Sequence, residues 1–141
     1  MKVSTRAEYG LRALIELAGR YGEGPVQTHV IAEQQGLPEP YLNQLMTTLR
    51  QAGLVTSKRG PAGGHTLARP PAQITLREAF SVLEGTTSPW WCVEVKDPDC
   101  EYAGTCGLRP VWQALQAAAE GVLDRLTLVD LQPQRQPAGR R

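Results

Sequence analysis

The stretch of sequence that decides the fold runs from Pro38 to Ala68 and reads PEPYLNQLMTTLRQAGLVTSKRGPAGGHTLA. Its first half carries apolar residues at three- and four-residue steps, which predicts a helix with one buried face. These residues are Leu42, Leu45, Met46 and Leu49. Proline is tolerated in the first turn of a helix and glycine commonly ends one, so this helix is expected to lie between Pro38 and Gly53.

A β-hairpin is predicted directly after this helix. Leu54-Val55-Thr56 is a short β-prone run, residues 59–64 form a turn with three glycines and one proline, and residues 65–68 return as the second strand. A helix followed at once by a hairpin is the arrangement of a winged helix. There the helix enters the major groove of DNA, and the hairpin, or wing, reaches phosphate or the minor groove.

Two earlier helices complete the predicted DNA-binding unit. Residues 5–19 carry an apolar stripe at helical spacing. Thr5 and Glu8 fit a capping box, in which each side chain binds a free backbone amide of the first turn. A second short helix, with Thr28 as a candidate cap, ends at Gly36. Two helices joined by a tight turn at Gly36 predict a helix-turn-helix.

The side chains of the third helix that the core does not need are mostly neutral hydrogen-bond donors and acceptors, which suit base edges. From Tyr41 to Pro70 the chain has no Asp or Glu, so its basic residues there form a local patch. The residues predicted to contact DNA are Tyr41, Asn43, Gln44, Thr47, Thr48, Arg50, Lys58, Arg59, Gly60 and Gly63. The alternative is that they form the solvated face of an ordinary helical bundle.

Beyond the wing, a fourth helix is predicted from Thr75 to Gly85, and a long helix follows residue 109. The apolar face of the long helix needs a partner, which a symmetric dimer supplies; alternatively the helix folds back on its own domain. The predicted fold is mainly α with a small β-wing. It comprises a winged helix-turn-helix domain over residues 1–84, a cysteine loop over 85–108, a dimerisation helix over 109–131 and a disordered tail over 132–141.

The chain has 141 residues, a net charge of +1 and a hydrophobic fraction of 41%. This is long enough for one domain with a proper core and an accessory segment. Because no apolar run approaches the length that spans a bilayer, a membrane protein is excluded and no membrane partner is expected. The N-terminus shows no secretory signal, so the expected location is the cytoplasm.

All three cysteines, Cys92, Cys100 and Cys106, fall within one loop. An odd number cannot be consumed by internal disulfides, and in a reducing cytoplasm a cysteine cluster more often binds metal or reacts than staples the fold. A metal or cluster site is therefore favoured over three unrelated thiols. Trp90 and Trp91 beside it are expected to be core aromatics, with shielding of a cluster as the alternative.

With these motifs in order, the chain resembles the IscR/NsrR family of small dimeric bacterial transcription regulators from Met1 to about Gln132. The resemblance is carried by STRAEYGLRAL at 4–14, YLNQL at 41–45, AGLV at 52–55 and the glycine-rich wing RGPAGGHTLA at 59–68. The three-cysteine loop ahead of a long helix completes the pattern.

The resemblance implies that Cys92, Cys100 and Cys106 hold an iron–sulfur cluster of the 2Fe-2S or 4Fe-4S type, with a fourth ligand that is not cysteine. In one branch of the family that ligand is a histidine at the position of Arg109, whose guanidinium stays protonated and has no lone pair to offer. In other branches it is an acidic residue early in the first helix of the other subunit, and Glu8 stands there. Glu8 thus keeps two interpretations, helix cap and cluster ligand.

The predicted function is that of a homodimeric transcription regulator, a repressor and not an enzyme. Its binding to double-stranded promoter DNA would be controlled by a cluster that senses redox state, nitric oxide or cluster supply. One rival is a zinc-stabilised or cluster-free winged-helix protein, although the chain lacks the paired Cys-x-x-Cys usual in zinc sites. A redox enzyme is disfavoured because no nucleotide-binding glycine motif follows a strand.

Overall fold

The computed structural model describes residues 2–133 and confirms a mainly α fold with a small β-wing. The elements are α1 (Thr5–Gly19), α2 (Thr28–Gln35), α3 (Glu39–Gln51), β1 (Val55–Lys58), β2 (Gly64–Leu67), a 3₁₀ turn (Pro71–Gln73), α4 (Leu76–Glu84), a second 3₁₀ turn (Trp91–Val93) and α5 (Arg109–Arg125). Among residues 2–133, no helix combines the length and the apolarity that crossing a membrane requires.

The core lies between α1, α2, α3, α4 and the base of the wing. The stripe predicted for the third helix is buried there, and it meets Leu14 of α1, Ile31 of α2 and Leu54 ahead of β1 in one cluster. Burying each such aliphatic side chain stabilises the fold by roughly 1.5–3 kcal/mol relative to leaving it in water. Because α3 is held by this one face, its opposite face is directed outward.

The wing is a two-stranded antiparallel sheet in which Val55 pairs with Leu67 and Lys58 pairs with Gly64. Val55 and Leu67 are buried at its base, while the rest of β1 is exposed. At the tip a Cβ on Gly63 would lie 2.0 Å from the Lys58 carbonyl oxygen. Only glycine fits there, which explains the glycine-rich turn of the sequence.

The predicted capping box at the start of α1 is wrong. The N-cap is Ser4, whose hydroxyl accepts a hydrogen bond from the Ala7 N–H at 3.0 Å, and Thr5 lies inside the helix. The backbone N–H of Ser4 donates to the carboxylate of Glu84 at 2.7 Å. Glu84 thus takes the donor that a capping-box glutamate would bind. Glu8 pairs with Arg12 instead, at 2.9 Å.

Two smaller predictions about the early helices have different outcomes. Gly36 does end α2, in the left-handed conformation. Thr28 is the first residue of that helix and not its cap; the N-cap is Gln27, which makes no side-chain capping bond. The fourth helix follows its prediction, since Thr75 caps it and Gly85 ends it.

The predicted long helix is shorter than expected, because α5 ends at Arg125 and does not continue to residue 131. Leu126 is extended, and its carbonyl accepts from the Leu76 N–H at 2.8 Å. Leu128 is fully buried in the core of the winged-helix domain. Pairing with the chain ahead of α4 therefore replaces the last helical turns.

The predicted disordered tail does not begin at Gln132. The side-chain amide of this residue donates to the Ile15 carbonyl at 3.3 Å and to the Leu128 carbonyl at 3.2 Å. The remainder of the predicted tail, residues 134–141, lies outside the described residues.

Candidate nucleic-acid interface and cysteine loop

The outward face of α3 is polar, as the sequence predicted. Asn43, Gln44, Thr47 and Arg50 are exposed there. The Thr47 hydroxyl donates to the Asn43 carbonyl at 3.1 Å, which leaves its lone pairs and methyl group outward. The face therefore offers amide, hydroxyl and guanidinium groups of the kinds that read base edges.

Two other residues predicted to contact DNA have partners inside the protein. Tyr41 is half-buried and packs edge-to-face on Tyr9, with ring centroids 5.8 Å apart. The Thr48 hydroxyl accepts from Arg6 Nη2 at 3.0 Å and donates to the Gln44 carbonyl at 3.3 Å. Both side chains help to hold α3 in place. The sequence could not reveal this, because Tyr9 and Arg6 come from another helix.

The basic end of the wing is exposed and tethered. Lys58 and Arg59 are both exposed, whereas Gly63 is buried and shapes the turn rather than offering a surface. Gly60 takes a positive φ of 105° in the same turn. The side-chain amide of Gln27, the N-cap of α2, donates to the Pro61 carbonyl at 2.9 Å. The wing tip is thus fixed relative to the helix-turn-helix.

His65 is a second attachment of the wing to α2. Its Nε2 lies 2.8 Å from the Thr28 hydroxyl and its Nδ1 lies 2.7 Å from the Ser57 hydroxyl. Its backbone also pairs with Val26. Partial burial, reinforced by the positive charge of Arg50, lowers the pKa of His65 below 6.5, so the ring is neutral near pH 7.

The basic patch is smaller than the sequence indicated. Arg50, Lys58 and Arg59 remain exposed on α3 and the wing. Arg69 forms an ion pair with Glu78 of α4 and so belongs to the internal contacts of the domain. The positive charge available to phosphate is therefore concentrated at the wing and at the end of α3.

The cysteine loop holds three free thiols in different environments. Cys92 lies in the 3₁₀ turn Trp91–Val93 and is buried, whereas Cys100 and Cys106 are partly exposed. As a donor set, three thiols in one loop suit iron or zinc. Within residues 2–133, however, no three or more Cys, His, Asp or Glu side chains lie together as a metal-binding group. The three thiols are thus chemically suitable as metal ligands, but they do not form a preformed metal-binding group in the described part of the chain.

Glu8 belongs to the first turn of α1. It is exposed on α1 beside an open groove that is also lined by Val3, Leu11 and Ile15. Its one described side-chain partner is Arg12, and an ion pair this exposed is worth less than about 1 kcal/mol. The Glu8 carboxylate can therefore exchange Arg12 for another partner at little cost in free energy.

Arg109, at the position where a histidine ligand would stand, anchors the loop. Its Nη2 donates to the Val95 carbonyl at 2.9 Å and to the Lys96 carbonyl at 3.1 Å. Its Nε is buried and, among the described residues, has no hydrogen-bond partner. The sequence excluded Arg109 as a ligand but gave no indication of this anchoring role.

Apolar side chains beside the cysteine loop and along α5 are uncovered in the single chain. Trp90 is 56% exposed and Trp91 is 49% exposed, so the expectation of core aromatics is wrong. None of the side chains in Arg109–Arg125 is buried, and the large apolar residues exposed on this helix are Val111, Leu115 and Val122. Exposed apolar area of this kind marks an interaction surface.

A helix-turn-helix followed by a two-stranded wing defines a winged-helix DNA-binding protein. The sequence model of the Rrf2 family, described as an iron-dependent transcriptional regulator, matches residues 3–134. The chain therefore belongs to the Rrf2 family of transcriptional regulators, and the predicted resemblance to IscR-type regulators is confirmed.

Curated relatives and solved structures agree with this assignment. Over 131 residues the chain is 43% identical to the regulator CymR of Bacillus subtilis, covering 93% of this chain and 89% of CymR. It is 32% identical to IscR of Aliivibrio salmonicida over 131 residues, covering 93% and 77% of the two chains. The structure of B. subtilis CymR matches with a TM-score of 0.77 at 44% identity, over 93% of this chain and 95% of that chain. That of T. potens IscR matches with a TM-score of 0.76 at 43% identity, over 93% and 85%. These relatives are named transcriptional regulators, so regulation rather than catalysis is confirmed.

Proposed function

We propose that this protein is a cytoplasmic homodimeric repressor that binds a roughly palindromic promoter site. The exposed face of α3 enters the major groove, and the wing, led by Arg59, lies at the flanking minor groove. The observation that carries this proposal is the polar face of α3 beside a basic wing that Gln27 and His65 hold in place.

The dimer is formed through α5. Its apolar side chains Val111, Leu115 and Val122 are exposed in the single chain, although they recur at helical spacing. A two-fold interface covers the same face on both copies, and it places two copies of α3 on one side of the assembly for the two half-sites.

The cysteine loop is the sensory element, and its ligand is an iron–sulfur cluster. Cys92, Cys100 and Cys106 would hold it, with Glu8 of the other subunit as the fourth ligand. Support comes from the three free thiols, the weakly paired Glu8 carboxylate and the iron-dependent description of the family. A bound cluster supplies a centre that responds to oxidation, nitric oxide or iron supply.

Anaerobic purification followed by visible spectroscopy and iron, sulfide and zinc analysis tests the cluster. We expect charge-transfer bands that are lost in Cys92→Ser, Cys100→Ser and Cys106→Ser and are changed in Glu8→Gln. Glu94→Gln, an exposed acidic residue in the loop itself, is the matched control and should keep the wild-type spectrum. A colourless, zinc-containing wild-type sample would refute the cluster and favour a closed zinc site.

A second candidate is a cluster-free regulator that responds to cysteine supply. It is favoured by the similarity to CymR, the global cysteine regulator of B. subtilis, and by the lack of a preformed metal-binding group among residues 2–133. The two candidates differ in the metal-free protein. Under this candidate the metal-free protein binds promoter DNA and changes affinity when its thiols are alkylated, and reconstitution with iron and sulfide leaves that affinity unchanged.

A further inference from the structure

Arg6 lies where α1, α3 and α4 meet, and its side chain joins the other two helices. Its Nε donates to the Leu83 carbonyl in the last turn of α4 at 3.2 Å, and its Nη2 donates to the Thr48 hydroxyl of α3 at 3.0 Å. Arg6 itself belongs to the first turn of α1 and is half-buried. One guanidinium therefore couples the end of α4 to a side chain of the helix that faces DNA.

Two further contacts fix the end of α4 against α1 on either side of Arg6. The Ser4 N–H donates to the Glu84 carboxylate at 2.7 Å. At Gly10 an added Cβ would lie 2.4 Å from Leu83 Cδ2, so the two helices approach as closely as a glycine allows. Because close-packed contacts transmit displacement rather than absorb it, Leu83 cannot shift without moving its partners.

The same end of α4 leads directly into the cysteine loop. Gly85 ends the helix, and the Thr87 hydroxyl just beyond it donates to the Glu120 carboxylate of α5 at 2.6 Å. Arg77 of α4 reaches Glu120 at 3.3 Å and Asp124 at 3.0 Å. The loop therefore begins at the end of α4, and these contacts hold α5, the helix that follows the loop, to α4. Arg6 binds the Leu83 carbonyl in the last turn of α4.

We propose that Arg6 is a positioning residue for DNA recognition. It sets Thr48, and with it the exposed face of α3, relative to the last turn of α4. It contributes to discrimination between operator and random DNA and not to attraction of phosphate. This rests on the proposed placement of α3 in the major groove. It also gives the cysteine loop a physical route to α3 through α4.

The test compares Arg6→Lys and Arg6→Gln with the wild type. The probes are a duplex that the wild-type protein selects from a random-sequence pool and an unselected duplex of the same length, each titrated over a range of salt. We expect both variants to lose about tenfold in affinity for the selected duplex, as befits a lost charge-assisted hydrogen bond, with unchanged affinity for random DNA. Lysine keeps the charge but cannot make both bonds, so it should not rescue the loss.

Arg59→Gln in the exposed wing is the matched control. Loss of a phosphate contact there should weaken binding to both duplexes and lower the salt slope by about one. The inference is overturned if the Arg6 variants behave in that way, or if their ratio of operator to random affinity equals that of the wild type.

Thr48→Val provides a second variant that leaves the α1–α4 contacts in place. It should lower the same ratio of operator to random affinity. Combining it with Arg6→Gln should add little further loss, because both substitutions remove the same Arg6–Thr48 hydrogen bond. Full additivity would refute the coupling, and an unchanged affinity ratio in Thr48→Val alone would refute it even if Arg6→Gln proved unstable. If the wild-type protein selects no sequence from the pool, the proposed function itself fails, and the inference fails with it.

Discussion

Leu128→Ala tests whether the chain after α5 belongs to the core of the winged-helix domain. Leu128 is 0% exposed, whereas its neighbour Val129 is 50% exposed. Truncating a fully buried leucine costs about 2–5 kcal/mol, because transfer free energy is lost and a cavity remains. Truncating the half-exposed valine removes little buried area and should cost less than about 1 kcal/mol.

Urea unfolding followed by circular dichroism measures the difference. With a slope of roughly 2 kcal/mol per molar urea for a chain of this size, Leu128→Ala should lower the midpoint by about 1–2.5 M, and Val129→Ala by less than about 0.5 M. All samples are compared at one protein concentration, because the midpoint of a dimer depends on it. Equal midpoints for the two variants would refute the burial of Leu128 and would favour the predicted helix that continues to residue 131.

Three further outcomes are expected. Gly63→Ala should weaken DNA binding and destabilise the fold by about 1–3 kcal/mol, because the added Cβ would lie 2.0 Å from a carbonyl oxygen of the wing. A Cβ added at Gly104 meets open space, so Gly104→Ala should change neither the DNA affinity nor the urea midpoint. The pKa of His65 is lower in the folded state than its ordinary value of 6.5. As pH falls, the unfolded chain therefore binds a proton at His65 before the folded chain does. The free energy of unfolding consequently falls as pH drops through 6.5. His65→Gln should flatten that dependence in urea midpoints measured between about pH 7.5 and 5.5, and an unaltered slope would show that another group titrates. Leu115→Arg, on the exposed apolar face of α5, should yield monomers by light scattering, while Gln113→Arg, also exposed on α5, should stay dimeric if the apolar face is the interface.

Local patterns predicted the parts of the fold that local interactions determine. The buried stripe of α3, the hairpin and the start of α4 near Thr75 each depend on residues a few positions apart, and all three were predicted. The capping of α1 was not, because Glu84 binds the Ser4 N–H from 80 positions away. The end of α5 was not, because Leu126 pairs with the chain ahead of α4.

The same division applies to the candidate site. The exposure of Asn43 and Gln44 could be predicted, since helical spacing shows which face the core occupies. The internal roles of Thr48 and His65 could not, because their partners Arg6 and Thr28 are distant in sequence. One signal was present for His65. The hairpin itself was predicted, and in its observed register His65 stands opposite Ser57, at a spacing that places the two side chains together.

The attachment of the wing to α2 has a consequence for how the protein recognises DNA. A loosely held wing would lose conformational entropy on binding and could adapt to many backbone geometries. This wing is ordered beforehand by Gln27 and His65, so that entropy is already lost on folding. With α3 in the major groove, as proposed above, a wing of fixed reach would meet phosphates at one distance only. Flanking sequences that narrow or widen the minor groove would therefore change the affinity for DNA even though the wing contacts no base. The wing would thus respond to the shape of the duplex and not to its base sequence.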